Sequence, residues 1–151
     1  MAPYFFDASA LVKGYVHESG SRWVRQVFTR KGTPVFISPL SGAEVLAAIA
    51  RKARAGEIHG KTQSECVTAF RRDYQRRFAH IAVSAGVIEE AMALVLAHPL
   101  RGADAVQLAS ALRLREGTPY LKALSFVAAD AALLRLARHT GLETENPLDH
   151  P

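Results

Sequence analysis

The sequence predicts an α/β fold: a three-layer α/β/α sandwich around a central, mainly parallel sheet of four to five strands. Three observations carry this. Short apolar runs alternate with stretches of helical periodicity along the chain. Most of those runs are continuously apolar rather than alternating, which is the pattern of strands covered on both faces. The chain has 151 residues, 49% of them hydrophobic, enough for one domain with a sizeable core.

The elements follow in order. Pro3, Tyr4, Phe5 and Phe6 form the first strand, closed by Asp7. Ala8 to His17 reads as a short helix with Ser9 placed to cap it. Ser21 to Arg30 repeats apolar residues at Trp23, Val24, Val27 and Phe28, a helical spacing. Pro34 to Ser38 is the second strand. Ser41 to Ala55 is a helix stopped by Gly56. Thr62 to Phe78 is a helix with Cys66, Val67, Phe70, Tyr74 and Phe78 as its apolar stripe. His80 to Val83 is a weaker third strand, Ala85 to His98 an apolar helix, and Ala103 to Glu116 a helix after the break at Pro99 to Gly102. Leu124 to Ala128 is the fourth strand, ended by Ala129 and Asp130. Ala131 to His139 is a helix ended near Gly141, and Glu143 to Glu145 reads as a short edge strand. One domain over residues 1–147 and a tail over 148–151 are expected, with no internal repeat or linker.

Composition narrows the function classes. The one cysteine, Cys66, makes no internal disulfide, fits a reducing cytosol and excludes a cysteine-built zinc site; its apolar stripe makes it core filler. No uncharged apolar run approaches about 18 residues, and no basic-then-apolar leader precedes Asp7, so a cytoplasmic, membrane-free protein is expected. G-x-G-x-x-G, Walker A and G-x-S-x-G patterns are missing from the sequence, which removes dinucleotide, P-loop and serine-hydrolase readings. His17, His59, His80, His98, His139 and His150 show no metal-ligand spacing and read as surface or loop residues. The net charge is +5. Residues 51–77 hold eight cations, including Arg51 and Arg54, against three acids, and the rest of the chain balances. A basic segment on a neutral body points to a polyanion such as nucleic acid, or to a solvated helical surface.

Four carboxylates stand out of place. Asp7 and Asp130 each directly follow an apolar strand, and ligands of open parallel sheets bind beyond the carboxyl ends of the strands. Glu44 is the only charge between Leu40 and Ile49, one turn from Leu40, Ala47 and Ala48. Asp104 shares a helix face with Leu100, Leu108 and Ala111. A carboxylate on an apolar face is costly unless paired or metal-bound. Each has a local alternative: helix capping for Asp7 and Asp130, the helix dipole for Asp104, an ion pair with Arg51 for Glu44. One shared site accounts for all four together. Such a cluster needs a counter-cation, and hard oxygen ligands suit Mg²⁺ or Mn²⁺. A carboxylate-held metal beside an excess of Arg and Lys describes a nuclease.

The motifs around these residues resemble a known family. Phe5-Phe6-Asp7-Ala8-Ser9, Ser41-Gly42-Ala43-Glu44, Arg101-Gly102-Ala103-Asp104 and Ser125 to Leu134 with Asp130 arrive in the order of PIN-domain proteins, and are most similar to the VapC-type toxins of toxin–antitoxin pairs. The resemblance spans residues 4 to about 147. It implies an Mg²⁺-dependent endoribonuclease with Asp7, Glu44, Asp104 and Asp130 as its acidic site. Asp7 and Asp104 would be direct metal ligands, while Glu44 and Asp130 would act through water. Ser9 would support the site, and Lys13, Arg51 and Arg54 would contact substrate. It also implies an RNA substrate, a small antitoxin and a homodimer, for which Trp23, Val24, Val27, Val45, Leu46 and Ile49 offer apolar surface or are simply core. The other readings are a housekeeping or non-catalytic PIN-like binding domain, and a receiver-like phospho-acceptor module. The receiver reading lacks paired acids after the first strand and an Asp after Val83.

Overall fold

The computed structural model describes residues 2–151; Met1, the start of the expected domain, lies outside the described residues. Five short strands, β1 (Tyr4–Phe6), β2 (Val35–Ile37), β3 (Ala79–His80), β4 (Ser125–Val127) and β5 (Glu143–Glu145), pair in the order β3-β2-β1-β4-β5, every pair parallel. Tyr4 stands opposite both Val35 and Ser125, and Phe6 opposite Val127, so β1 is the middle of the sheet. The helices are α1 (Ala8–Leu11), α2 (Ser21–Thr29), α3 (Leu40–Arg54), α4 (Gly60–Arg76), α5 (Ala85–Ala97), α6 (Gly102–Gly117) and α7 (Ala131–His139).

Strand side chains alternate between two cores, because successive Cβ atoms leave opposite faces. Tyr4, Phe6, Val35, Ile37 and Val127 pack with buried residues of α1 to α4 such as Leu11, Val24, Val45 and Phe70. Phe5 and Phe126, stacked at 5.9 Å, pack on the other face with Leu108 of α6 and Leu133 of α7. These are the expected three layers.

Three local expectations are corrected. The helix expected over Ala8–His17 ends at Leu11 and tightens into a 3-10 turn over Val12–Gly14. Gly14 lies flat under the Phe28 ring, where any Cβ would collide. The strand expected over His80–Val83 is only Ala79–His80. After Ile81 N donates to Ile37 O (2.9 Å), β2 turns away into α3 and offers Ala82 and Val83 no partner. Trp23, Val24, Val27, Val45 and Ile49 are buried in the core and Leu46 packs against it, so they are not a dimer surface. The bare apolar face belongs to α5, where Ile88, Met92, Val95 and Leu96 are exposed, Leu96 to 89%.

The last residues are docked. Pro147 is buried in a 3-10 turn, and the His150 ring lies parallel to Trp23 at 4.7 Å while pairing with Glu145 at 3.0 Å. No helix among the described residues is long and apolar enough to cross a membrane.

Candidate active site

Strand order places the site. The chain leaves β1 with β2 on one side and β4 on the other, and crevices of parallel sheets open at such a switch point, beyond the carboxyl ends. Asp7 is the first residue past β1; its N–H donates to Val127 O at 2.9 Å, fixing it to the end of β4. Its Oδ2 accepts from Ser9 N (3.1 Å) and Ser9 Oγ (2.5 Å). The helix cap is therefore Asp7, not Ser9 as the sequence suggests. Ser9 Oγ also accepts from Ala129 N at 3.0 Å, so one hydroxyl ties the ends of β1 and β4 together.

The other carboxylates arrive on helix starts. Asp130 caps α7, its Oδ1 accepting from Ala132 N (2.9 Å) and Leu133 N (3.1 Å). Asp104 sits in the first turn of α6, its Oδ2 accepting from Arg101 Nε at 3.1 Å. Glu44, in the second turn of α3, accepts on Oε1 from Gln107 Nε2 at 2.8 Å. Arg51 makes no ion pair with it, and no other among the described residues. In each of the four, one carboxylate oxygen is held by the protein, and among the described residues the other takes no hydrogen bond. Capping at Asp7 and Asp130 therefore leaves one oxygen of each without a hydrogen bond among the described residues.

The electrostatics bind the acids into one region. Asp7 is buried, and its pKa rises from 3.8 to about 6. Burial is the largest cause. The Ser9 hydrogen bonds oppose it, and the charges of Glu44 and Asp104 add to it. Arg101 at the mouth has its charged form favoured first by its bond to Asp104, then by the charges of Asp104, Asp130 and Glu44. Glu44 and Asp104 thus act on both Asp7 and Arg101, and Asp130 acts on Arg101. The four carboxylates do not already form a chelate: among the described residues no three His, Cys, Asp or Glu side chains stand close enough together to hold one ion. The protein's own Arg101 pairs with Asp104 at 3.1 Å.

Gln107 is the participant that the sequence reading passed over. It is fully buried, and its Nε2 donates both to Glu44 and, at 2.9 Å, to Ser41 Oγ. Its Oε1 is a buried acceptor without a partner. The one available signal was an amide in the otherwise small and apolar run from Ala105 to Leu112.

Lys13 is corrected: its ammonium is buried and paired with Glu18 at 3.0 Å, so it does not face a substrate phosphate. Arg51 and Arg54 are exposed near the C-terminus of α3. His98 is half-buried and meets His139 edge to face at 6.1 Å, beside the acids; His80 and His150 are held by Tyr74 and Glu145.

Comparison with known proteins gives the family. A family model described as PIN domain matches residues 4–139. Two proteins of Mycobacterium tuberculosis, Ribonuclease VapC45 and Ribonuclease VapC49, are each 40% identical over 111 residues, covering 72% of this chain and 74% of theirs. A solved toxin-antitoxin complex from Klebsiella pneumoniae superposes with a TM-score of 0.63 at 17% identity, covering 95% of this chain and 97% of that one; this is a likeness of fold. The chain belongs to the PIN-domain family, as a member of its VapC type.

Proposed function

We propose that this protein is a divalent-metal-dependent endoribonuclease, the toxin of a toxin–antitoxin pair acting on cytoplasmic RNA. The observation that carries the reading is the set of four carboxylates, from four separate stretches of chain, around the crevice at β1, each with one oxygen fixed and one turned free.

These residues fit a hard divalent cation. Asp7 is a buried carboxylate opposed by two further negative charges, which a cation would relieve. The all-oxygen donor set suits Mg²⁺, with Mn²⁺ as the alternative. Asp7 and Asp104 would hold it directly, and Glu44 and Asp130 would act through water. Bound there, the ion would supply a water of lowered pKa and positive charge against the phosphodiester. Ser9 keeps Asp7 aimed, and Gln107 keeps Glu44 aimed. The free oxygens of Glu44 and Asp130 orient the attacking water and take up its proton. Water adds to phosphorus in line, the bond to the 3′ oxygen breaks, and that oxygen takes a proton from solvent while the carboxylates release theirs to it. The products carry a 5′-phosphate and a 3′-hydroxyl. Arg51 and Arg54 meet backbone phosphates farther along the RNA.

The same chemistry describes the antitoxin. Arg101 already pairs with Asp104. An arginine offered by a small partner protein would bond the remaining carboxylates in the same charge-assisted way and displace the metal. The apolar face of α5 is where a second copy completes a homodimer.

The test is cleavage of single-stranded RNA by purified wild type, Asp7→Asn and Asp104→Asn, with Mg²⁺ and with EDTA, followed by end-group analysis. Cleavage that needs metal, falls at least about 100-fold in either variant and leaves 5′-phosphates is expected. Equal cleavage by both variants refutes the assignment.

A further inference from the structure

Beyond the carboxylates the crevice continues as a trough of about 570 Å³. Asp104 and Asp130 stand in its wall, so it opens directly onto the site. One wall is the face of α7 that carries Ala132, Arg135, Leu136 and His139, at the three- and four-residue spacing of one helix side. The other is the segment from His98 to Arg101 that joins α5 to α6. At 1.5 Å per residue, α7 extends the wall about 10 Å from Ala132 to His139. The two imidazoles meet edge to face at 6.1 Å and 74°. Neither makes a hydrogen bond to any other described residue, so their ring nitrogens are available to a ligand.

This lining is that of neither a simple apolar pocket nor a plain phosphate site. Leu100 and Leu136 supply apolar surface, the imidazoles supply flat rings, and Arg101 and Arg135 supply exposed guanidinium groups. A ligand that uses all three has a flat polar-edged ring and a phosphate on either side of it. Resting on the ribonuclease reading, we infer that the trough is a nucleoside subsite. It takes the base adjacent to the scissile phosphate of single-stranded RNA, stacked at the His98–His139 pair, with Arg101 and Arg135 on the flanking phosphates. The volume lies within the range of small-ligand pockets. A base enters only when splayed out of a helix, so duplex RNA is excluded. Because His98 and His139 line the trough and carry ring nitrogens with no other bond among the described residues, this trough, and not the acids, sets sequence preference.

The experiment is imidazole NMR of the metal-free protein in EDTA, titrated with the four nucleoside 5′-monophosphates, ribose 5-phosphate and inorganic phosphate. Affinity for a labelled single-stranded RNA is measured on wild type, His139→Ala and Leu136→Asp. The expected result is movement of the His98 and His139 resonances with at least one base-bearing ligand and with neither base-free one. RNA affinity falls roughly 5- to 100-fold in His139→Ala, the range for loss of one stacked base, and the pattern of cleaved sequences changes. His139 is exposed, so this variant folds. Resonances indifferent to all four nucleotides, or unchanged RNA affinity and cleavage pattern in both variants, overturn the inference. Metal-dependent cleavage by wild type against Asp104→Asn, measured alongside, separates the outcomes: cleavage with silent histidines removes only the subsite, while docking without cleavage removes the ribonuclease reading.

Discussion

Replacing Asp7 by Asn will stabilise the metal-free protein while destroying its activity. Asp7 is buried among like charges, and its pKa stands at about 6 rather than 3.8. The native state therefore favours the protonated acid. That preference contributes fully below the unfolded value and is lost as pH rises through about 6. Between those limits the stability falls by about 3 kcal/mol, the free-energy equivalent of the shift. An Asn side chain keeps an acceptor for Ser9 N and carries no charge at any pH, so it escapes the loss. Denaturant unfolding in EDTA from pH 4 to pH 8 is the assay. The variant should match wild type near pH 4 and exceed it by up to about 3 kcal/mol at pH 8, or about 6–12 °C in Tm. Adding Mg²⁺ at pH 8 should then raise wild type and leave the variant in place. A difference that stays flat across this pH range would show that Asp7 is not held against its charge, and the reasoning would be wrong.

Two further predictions concern the surroundings of the site. Gln107→Leu leaves the Ser41 hydroxyl and Glu44 Oε1 without their shared donor, and should lower stability by about 1–3 kcal/mol and reduce the cleavage rate at saturating RNA more than RNA affinity. Rates and affinities measured together separate these effects, and an active, equally stable variant would remove Gln107 from the site. Cys66 is buried, its Sγ bonds Tyr15 O at 2.9 Å, and burial raises its pKa; a thiol reagent should modify the native protein far more slowly than the urea-unfolded chain.

Much of this architecture is local enough to be read from residues alone. Continuous apolar runs such as Tyr4 to Phe6 are sheet centre, and the carboxylates stand out because their neighbours are apolar. What failed to be legible was long-range. Gln107 is chemically quiet in sequence, and its partners Ser41 and Glu44 lie 66 and 63 residues away. The length of β3 depends on where β2 turns off, which nothing in Ile81 to Val83 reveals. Periodicity shows that Val24 or Ile49 belongs to an apolar face but not what covers it, so core and docking surface both stood open until the fold showed core. The apolar α5, whose outer side leaves Ile88, Met92, Val95 and Leu96 exposed, carried the better signal, because it has more apolar side chains than one buried stripe can use. Lys13 misled for the opposite reason, since an ammonium is usually solvated and here Glu18 buries it.

The hydroxyl of Ser9 joins residue 7 to residue 129, and β1 waits for β4 to take its place beside it. During synthesis the amino-terminal half emerges long before that partner exists. A ribosome must therefore deliver nearly the whole chain before Ser9 can tie the two strand ends together. Timing of this kind is imposed by sheet order alone.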